Sequence, residues 1–315
     1  MPELPEVETV VSELHRQLKG RTIKSVSVLL PKLVFLGPRT VSNVRRNNKK
    51  RAAAFAAKLK GQRIRAVKRR AKIIIIEFYS PKSRLPGKES QRILLVHLKM
   101  TGQFIFFKKS ELNKKVRIIN RVEAPLYQMP CKYTHVIFTF SDGAKLFYND
   151  LRQFGYFRLV DADELARVKE LKEFGPEPLD KNFTFQVFEE ILKKRPNAKI
   201  KQALTEPKLI AGIGNIYSDE ILFRAKVRPL RRIKTLSRAE RRAIFRAIPF
   251  ILKKAIRARG SSVGDFIRPD GSWGTMGKYH FVYGRAGQSC KKCGVVITSA
   301  KIGGRTASFC LRCQR

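Results

Sequence analysis

Four of the chain's five cysteines stand in its last 26 residues, as "CKKC" at Cys290–Cys293 and "CLRC" at Cys310–Cys313, with sixteen residues between the pairs. Two C-x-x-C pairs at this spacing place four thiolates on two tight turns, the donor set of a tetrahedral Zn²⁺ site. The intervening "VVITSAKIGGRTASF" reads as a β-hairpin turning at Gly303–Gly304. Two redox dithiols would want a βαβ setting, which neither pair has. A four-cysteine site is coordinatively closed, so a single zinc ion here would be structural, and the hairpin would present Arg305 to a phosphate. This clustering suits a metal site in a reducing compartment better than a disulfide framework. Cys131 is left as an ordinary thiol.

Charge narrows the partner. Lysine and arginine number 67 against 25 aspartates and glutamates, a net charge of +42 and a pI near 10.7. Such a chain seeks a polyanion. An anionic membrane would want a basic amphipathic helix or a lipidation signal, and no lipidation motif is visible. No run of eighteen apolar residues predicts a membrane span. The acidic start lacks the basic and apolar regions of a secretory signal, so the cytoplasm, at the nucleoid, is the expected location. With 315 residues, 43% of them hydrophobic, two domains and a small third are expected.

Periodicity divides the chain. "PEVETVVSELHRQLKG" carries Val7, Val10, Val11, Leu14 and Leu18 at helical spacing and stops at Gly20. Strand-like runs follow: "TIKSVSVLL", "IRAVKRRAKIIIIEFY", "RILLVHLKMTGQFIFF", "THVIFTF", "AKLFYND" and "FGYFRLV". Basic polar segments at 43–51, 81–92 and 108–121 separate several of them. This half predicts one helix and a two-layer antiparallel sandwich over residues 1–165. After "GPEPLD" the period becomes helical, giving a helical domain at 176–275 and the cysteine-bearing finger at 281–315. Within it "AGIGNIYSDE" reads as a glycine turn before a helix N-terminus, with Asn215 as N-cap and free N–H groups for a phosphate. "SRAERRAIFRAIPFILKKAIRARG" opens with the capping box Ser237 and Glu240, runs through a kinking Pro249, and ends at Gly260.

The opening "MPELPEVETV" is at odds with the composition: Glu3, Glu6, Glu8 and Glu13 fall in thirteen residues with no lysine or arginine. Acidic residues and proline suit a first helical turn, which is the plain reading. A sharper one is an active site at the amino terminus. Processing of Met1 would leave Pro2 a secondary α-amine, with a pKa of about 8, nucleophilic near neutrality. Attack on a sugar C1′ would give an iminium, with Glu3 as a general acid.

"PELPEVETV", "RRAK" before an apolar strand, "HLKMTG", "LRQFG", "GIGNIYSDE" and the terminal "CxxC…GR…CxxCQR" occur together and in order from residue 2 to residue 314. The set closely resembles the bacterial formamidopyrimidine-DNA glycosylases. The resemblance implies an α+β fold: an N-terminal helix with a two-layer antiparallel β-sandwich, a helix–two-turns–helix domain, and a C-terminal zinc-finger hairpin. It implies damaged double-stranded DNA as partner, a monomer, and excision of 8-oxoguanine opposite cytosine and of formamidopyrimidines, followed by strand cleavage through β,δ-elimination. By resemblance Pro2 is the nucleophile, Glu3 the acid and Glu6 a supporting carboxylate. Lys72 and Arg305 assist elimination at the phosphates. Met100, Arg152 and Phe154 fill the hole left by the flipped nucleotide, with Arg152 reading the estranged cytosine. His97, Lys201 and Asn215 match phosphate contacts, and "RPDGSWGTMGKYHF" resembles the loop that closes over an oxidised purine.

Departures stand beside the matches. Leu151 and Gln153 replace the usual neighbours of Arg152, Tyr133 stands where a DNA-contacting histidine is usual, and Pro196 where a lysine is. Two other readings remain at this stage. An endonuclease VIII-like enzyme for oxidised pyrimidines would share Pro2, Glu3 and the finger, but tends to lack the methionine–arginine–phenylalanine set. A noncatalytic, zinc-bearing nucleic-acid-binding protein would leave "MPELPE" and Lys72 without a purpose.

Overall fold

The computed structural model describes residues 1–41, 45–79, 92–118, 125–264 and 266–315. The predicted connector at 81–92 lies almost wholly outside them, as does part of that at 108–121. Two compact units emerge: Met1–Pro2 with Glu6–Lys172 and Ser261–Gly274, and Glu3–Pro5 with Glu173–Gly260 and Thr275–Arg315.

The first unit is built on α1 (Leu4–Leu18), whose Val7, Val10, Val11, Leu14 and Leu18 are all buried, as the spacing predicts. Among the described residues eleven strands follow: β1 (Ile23–Val28), β2 (Val34–Leu36), β3 (Arg63–Arg70), β4 (Ile73–Tyr79), β5 (Arg92–His97), β6 (Gly102–Phe107), β7 (Lys115–Val116), β8 (Tyr127–Gln128), β9 (Thr134–Phe140), β10 (Lys145–Asp150) and β11 (Tyr156–Asp161). They form a four-stranded sheet ordered β1-β9-β10-β6, a five-stranded sheet ordered β2-β11-β5-β4-β3, and a small β7–β8 pair. All pairings are antiparallel except β2 with β11. Phe104, Tyr148 and Phe157 meet between the layers, with Tyr148 and Phe157 ring centroids 4.7 Å apart edge to face.

Two long runs each break into two strands, β3–β4 as a hairpin and β5–β6 as a step from the five-stranded sheet to the four-stranded one. β3 turns into β4 at Ala71, where φ is +52°, and β5 turns toward β6 at Lys99, also at +52°. A second correction concerns the basic segment at 43–51, which leads into a helix, α2 (Lys49–Leu59). Asn48 caps it, accepting from Arg51 N–H at 2.8 Å, and Ala52, Phe55 and Leu59 bury one face.

The second unit holds α4 (Phe185–Lys193), α5 (Ile200–Thr205), α6 (Asn215–Arg224) and α7 (Arg238–Arg257), after the short α3 (Lys169–Glu173) that straddles the division. Ser237 and Glu240 form the expected capping box, and α7 runs on through Pro249. The tail forms β12 (Ile297–Ile302) against β13 (Arg305–Cys310), turning at Gly303–Gly304. Residues 261–274 differ from the expected 176–275 domain by packing with the sandwich. Phe106 N–H donates to Pro269 C=O at 2.9 Å, and Arg268 pairs with Glu13 on α1. Among the described residues no helix is long and apolar enough to cross a membrane.

Candidate active site and nucleic-acid interface

One end of the sandwich gathers most of the side chains singled out in its sequence. Pairing aligns Ile73 with His97 and His97 with Tyr156, so the β3–β4 turn, the end of β5 and the start of β11 lie side by side. Lys72 sits on that first turn, half-buried. Arg69 shapes the turn: Nε donates to Glu8 of α1 at 2.8 Å and a second nitrogen to Ala71 C=O at 2.8 Å. His97 Nδ1 accepts from Lys99 N–H at 3.0 Å, which leaves the ring proton on Nε2. Burial, then the charges of Lys99, Lys72 and Arg45, holds this imidazole well below its usual range, so it is neutral at pH 7.

The turns that carry Met100, Arg152 and Phe154 share one buried carboxylate. Asp150 Oδ1 accepts from Thr101 Oγ1 at 2.5 Å and Arg152 N–H at 3.3 Å, while Oδ2 accepts from Gly155 N–H at 2.8 Å. Thr101 Oγ1 in turn accepts from Arg152 N–H at 3.0 Å. From the other side Arg45 donates to the carbonyls of Gly155 and Phe154 at 2.6 and 2.9 Å. A Cβ at Gly155 or Gly102 would overlap the Tyr148 hydroxyl, so both turns need glycine there. Gln153, at φ +57°, completes the bend. The outcome is an exposed Phe154, 47% accessible, with the exposed Arg152 guanidinium 4.8 Å over its ring, and a half-buried Met100. Asp150 N–H also donates to Tyr133 C=O at 3.0 Å, which brings Tyr133 to the same end, and Lys132 Nζ lies 5.2 Å over its ring. Sequence reasoning passed over Asp150, Thr101 and Arg45. Their only signal was an acidic residue at the end of an apolar strand, and the basic segment before α2.

Pro2 is buried and groups with the sandwich, as does Glu6, which is 1% exposed and accepts from Ser261 N–H at 2.8 Å. Of the closing-loop stretch, Arg268 is buried against Glu13 while Trp273 is 37% exposed.

In the second unit Glu3 corrects the reading of α6. The N-cap is Gly214, with Asn215 the first helical residue, and the helix N-terminus is not free. Glu3, 2% exposed, accepts from Gly214 and Ile216 N–H at 2.8 Å each and from Tyr217 N–H at 3.4 Å. A carboxylate there satisfies orphan donors and meets the positive end of the helix dipole. Gly212, at φ +84°, leaves room for Leu4 beside it. Asn215 is half-buried, its Oδ1 having no donor within reach among the described residues.

Lys201, matched by resemblance to a phosphate contact, is held by a buried carboxylate. It is 1% exposed, and Nζ donates to Asp219 Oδ1 at 2.5 Å and Thr306 C=O at 3.3 Å. Asp219 Oδ2 accepts from Ser308 N–H at 3.0 Å, so the pair ties α5 and α6 to β13. Burial outweighs the pairing: it pushes Asp219 up to about 6 and Lys201 down. Arg305, exposed at the start of β13, donates to Thr205 C=O at 3.4 Å.

The four tail cysteines converge, all their sulfurs within 4.8 Å of one another. The Cys290–Cys313 and Cys293–Cys310 separations are 3.9 and 3.5 Å. A zinc–sulfur bond of about 2.3 Å gives a tetrahedron edge of about 3.8 Å, which these distances bracket, whereas a disulfide needs about 2.05 Å. Lys292 and Cys313 N–H groups donate to Cys290 and Cys310 sulfurs at 3.4 Å each, as thiolates require. Gln314, fully buried, accepts from Cys310 N–H at 2.9 Å and donates to Val227 C=O at 2.8 Å, pinning the second turn. The donor set therefore fits zinc.

Comparison with known proteins agrees along the whole chain. The formamidopyrimidine-DNA glycosylase N-terminal domain profile matches residues 1–157, the H2TH domain profile of the same enzymes matches 174–266, and a zinc finger found in FPG and IleRS matches 287–315. A formamidopyrimidine-DNA glycosylase of Pelotomaculum thermopropionicum is 36% identical over 315 residues, covering 100% of this chain and 99% of its own. The Lactococcus lactis Fpg crystallised with abasic-site DNA superposes with a TM-score of 0.79 at 32% identity, over 99% of each chain. A MutM crystallised with DNA containing carbocyclic 8-oxo-G does so at 0.78 and 32% identity, over 100% of each chain. With its three regions matched in order and its length covered throughout, the chain belongs to the formamidopyrimidine-DNA glycosylase family.

Proposed function

We propose that this protein excises oxidised purines, 8-oxoguanine opposite cytosine and formamidopyrimidines, from double-stranded DNA in base excision repair, and then cleaves the strand as an AP lyase. The observation that carries the reading is the Glu3 carboxylate, next to Pro2 in the chain, fixed by three backbone N–H donors. With Met1 removed, the Pro2 nitrogen attacks C1′ of a nucleotide flipped from the stack, and the C1′–base bond breaks with its electrons leaving on the base. Glu3 takes the proton from the nitrogen and passes it to the ring oxygen as the C1′–O4′ bond breaks, and the nitrogen lone pair closes the iminium. Removal of a C2′ proton then expels the 3′ phosphate, and a second elimination expels the 5′ phosphate.

Lys72 and His97 serve the phosphates at the damage site, with Tyr133, Lys201 and Asn215 supporting DNA contacts and Arg305 the second elimination. Glu6 holds the backbone at Ser261. Met100, Arg152 and Phe154 fill the vacated stack, Arg152 donating to the cytosine edge. Cys290, Cys293, Cys310 and Cys313 hold one zinc ion, which leaves no open coordination position and shapes the hairpin that presents Arg305. The protein acts as a monomer where chromosomal DNA lies, in the cytoplasm.

The test is borohydride trapping on a duplex with 8-oxoguanine opposite cytosine, beside undamaged duplex and a Pro2→Gly protein. A lesion-dependent covalent complex, lost without Pro2, is the expected result. Trapping only on an oxidised pyrimidine would reassign the substrate. No trapping on any lesion or abasic site, by protein whose mass shows Met1 gone, would leave only DNA binding.

A further inference from the structure

A hollow of about 290 Å³ opens within the second unit, among α6, α7 and the cysteine-bearing tail. Its floor is apolar: Phe223 and Phe281 stack with centroids 5.0 Å apart, and Ile251 and Met276 close the base. Two aromatic side chains stand out at the rim, Phe250 at 44% and Tyr279 at 49% exposure. Each has a cation on its ring: Arg224 lies 3.3 Å from the Phe250 centroid, and Lys254 Nζ 4.6 Å from that of Tyr279. Lys226 and Lys292 add two further positive charges to the lining. The one carboxylate of the lining, Glu220, is 1% exposed and turned inward, accepting from Phe281, Val282 and Tyr283 N–H groups at 2.9–3.0 Å. The hollow therefore offers an apolar seat and four cations, with Cys313 of the metal-binding cluster also in its lining and Glu220 turned inward.

We propose that this hollow is a second binding site, separate from the DNA-processing residues, for an acidic peptide segment of a protein partner that inserts one aromatic or aliphatic side chain. The volume is ample for one aromatic or aliphatic anchoring side chain. A single buried anchor ringed by charge is the pattern of an interface hot spot. Charge complementarity sets the flanking chemistry, because the four cations leave an anion as the only favourable neighbour. Single-stranded nucleic acid is the less fitting occupant. It needs open ring faces for stacking, and here one face of each rim aromatic already carries a cation.

The experiment follows the anisotropy of a labelled peptide with one phenylalanine between two pairs of aspartates, added to the zinc-loaded full chain at about 0.15 M salt, where exposed charges are screened beyond about 8 Å. Saturable binding is expected, weakened at least tenfold by phenylalanine→serine in the peptide and by Phe250→Ser or Lys254→Glu in the protein. Borohydride trapping on lesion DNA should be unchanged in both variants, which also shows that they are folded. Arg224→Glu gives a third reading should Phe250→Ser disturb α7. Equal binding of the serine peptide would reduce the site to nonspecific charge and overturn the proposal. So would a tenfold loss of oligothymidine binding in Phe250→Ser with peptide binding intact, since the hollow would then be a single-strand platform.

Discussion

At Gly155 a side chain as small as alanine's would overlap the Tyr148 hydroxyl, between the layers of the sandwich. Gly155→Ala should therefore lower stability by about 1–3 kcal/mol, read as a fall in the denaturation midpoint. An unchanged midpoint would mean that Tyr148 moves aside freely. Asp150→Ala strips an acceptor from four donors at once, those of Thr101, Tyr148, Arg152 and Gly155. Trapping of lesion DNA should drop at least tenfold, because Met100, Arg152 and Phe154 all lose their footing. Full activity in that protein would show the turns to be self-supporting. His280 gives a pH signature. Burial, then the Lys291 charge, lowers it to about 4 from a usual 6.5, so the folded state resists protonation that the unfolded chain accepts. Its contribution is whole above pH 6.5 and is lost as pH falls toward 4, by about 3 kcal/mol at most. His280→Gln should flatten the stability profile in that window, and parallel profiles for the two proteins would contradict this.

Elements differed in how plainly the sequence announced them. α1 and α7 were legible because their cues are local: an apolar stripe at helical spacing, and Ser237 and Glu240 three residues apart. Ser237→Ala should cost about 1 kcal/mol of stability, measured by denaturant titration. The start of α6 was not legible. Its N-terminal donors are met by Glu3, more than 200 residues away in the chain, a partner no local pattern reveals. For the same reason nothing in the sequence signalled that Lys201, matched by resemblance to a phosphate contact, is held by Asp219 and Thr306. The β3–β4 hairpin and the β5–β6 step between sheets were read as single runs because Ala71 and Lys99 are unusual residues at positive φ, without the glycine that usually marks such a turn. α2 was hidden by the basic residues that surround its alanines. The sites of Lys72, Met100, Arg152 and Phe154 were named through family resemblance. What the structure adds is the scaffold beneath them, whose residues carry no motif.

Across the whole molecule, the +42 charge dictates how binding responds to salt. If six or more phosphates are neutralised, the log–log slope of affinity against salt should be about −5 or steeper. A slope near −2 would mean that most of the lysines and arginines stay clear of DNA. Tyr133 and Pro196 stand where basic contacts were expected, so the surplus elsewhere is what would keep that slope steep. Removing zinc with a strong chelator should release one equivalent per chain and weaken lesion-DNA binding, while the sandwich keeps its strand signal in circular dichroism. Retained binding by metal-free protein would show that the hairpin holds its shape without zinc.

The shared footing at Asp150 has a consequence for heredity as well as for mechanics. Because one carboxylate serves the turns of both Met100 and the Arg152–Phe154 pair, substitutions on the two turns should not act independently. Their combined effect should fall short of the sum, and a double-mutant cycle between Thr101 and Gly155 would read the coupling directly. An inherited change that suits one turn at the expense of Asp150 would therefore be felt at once on the other.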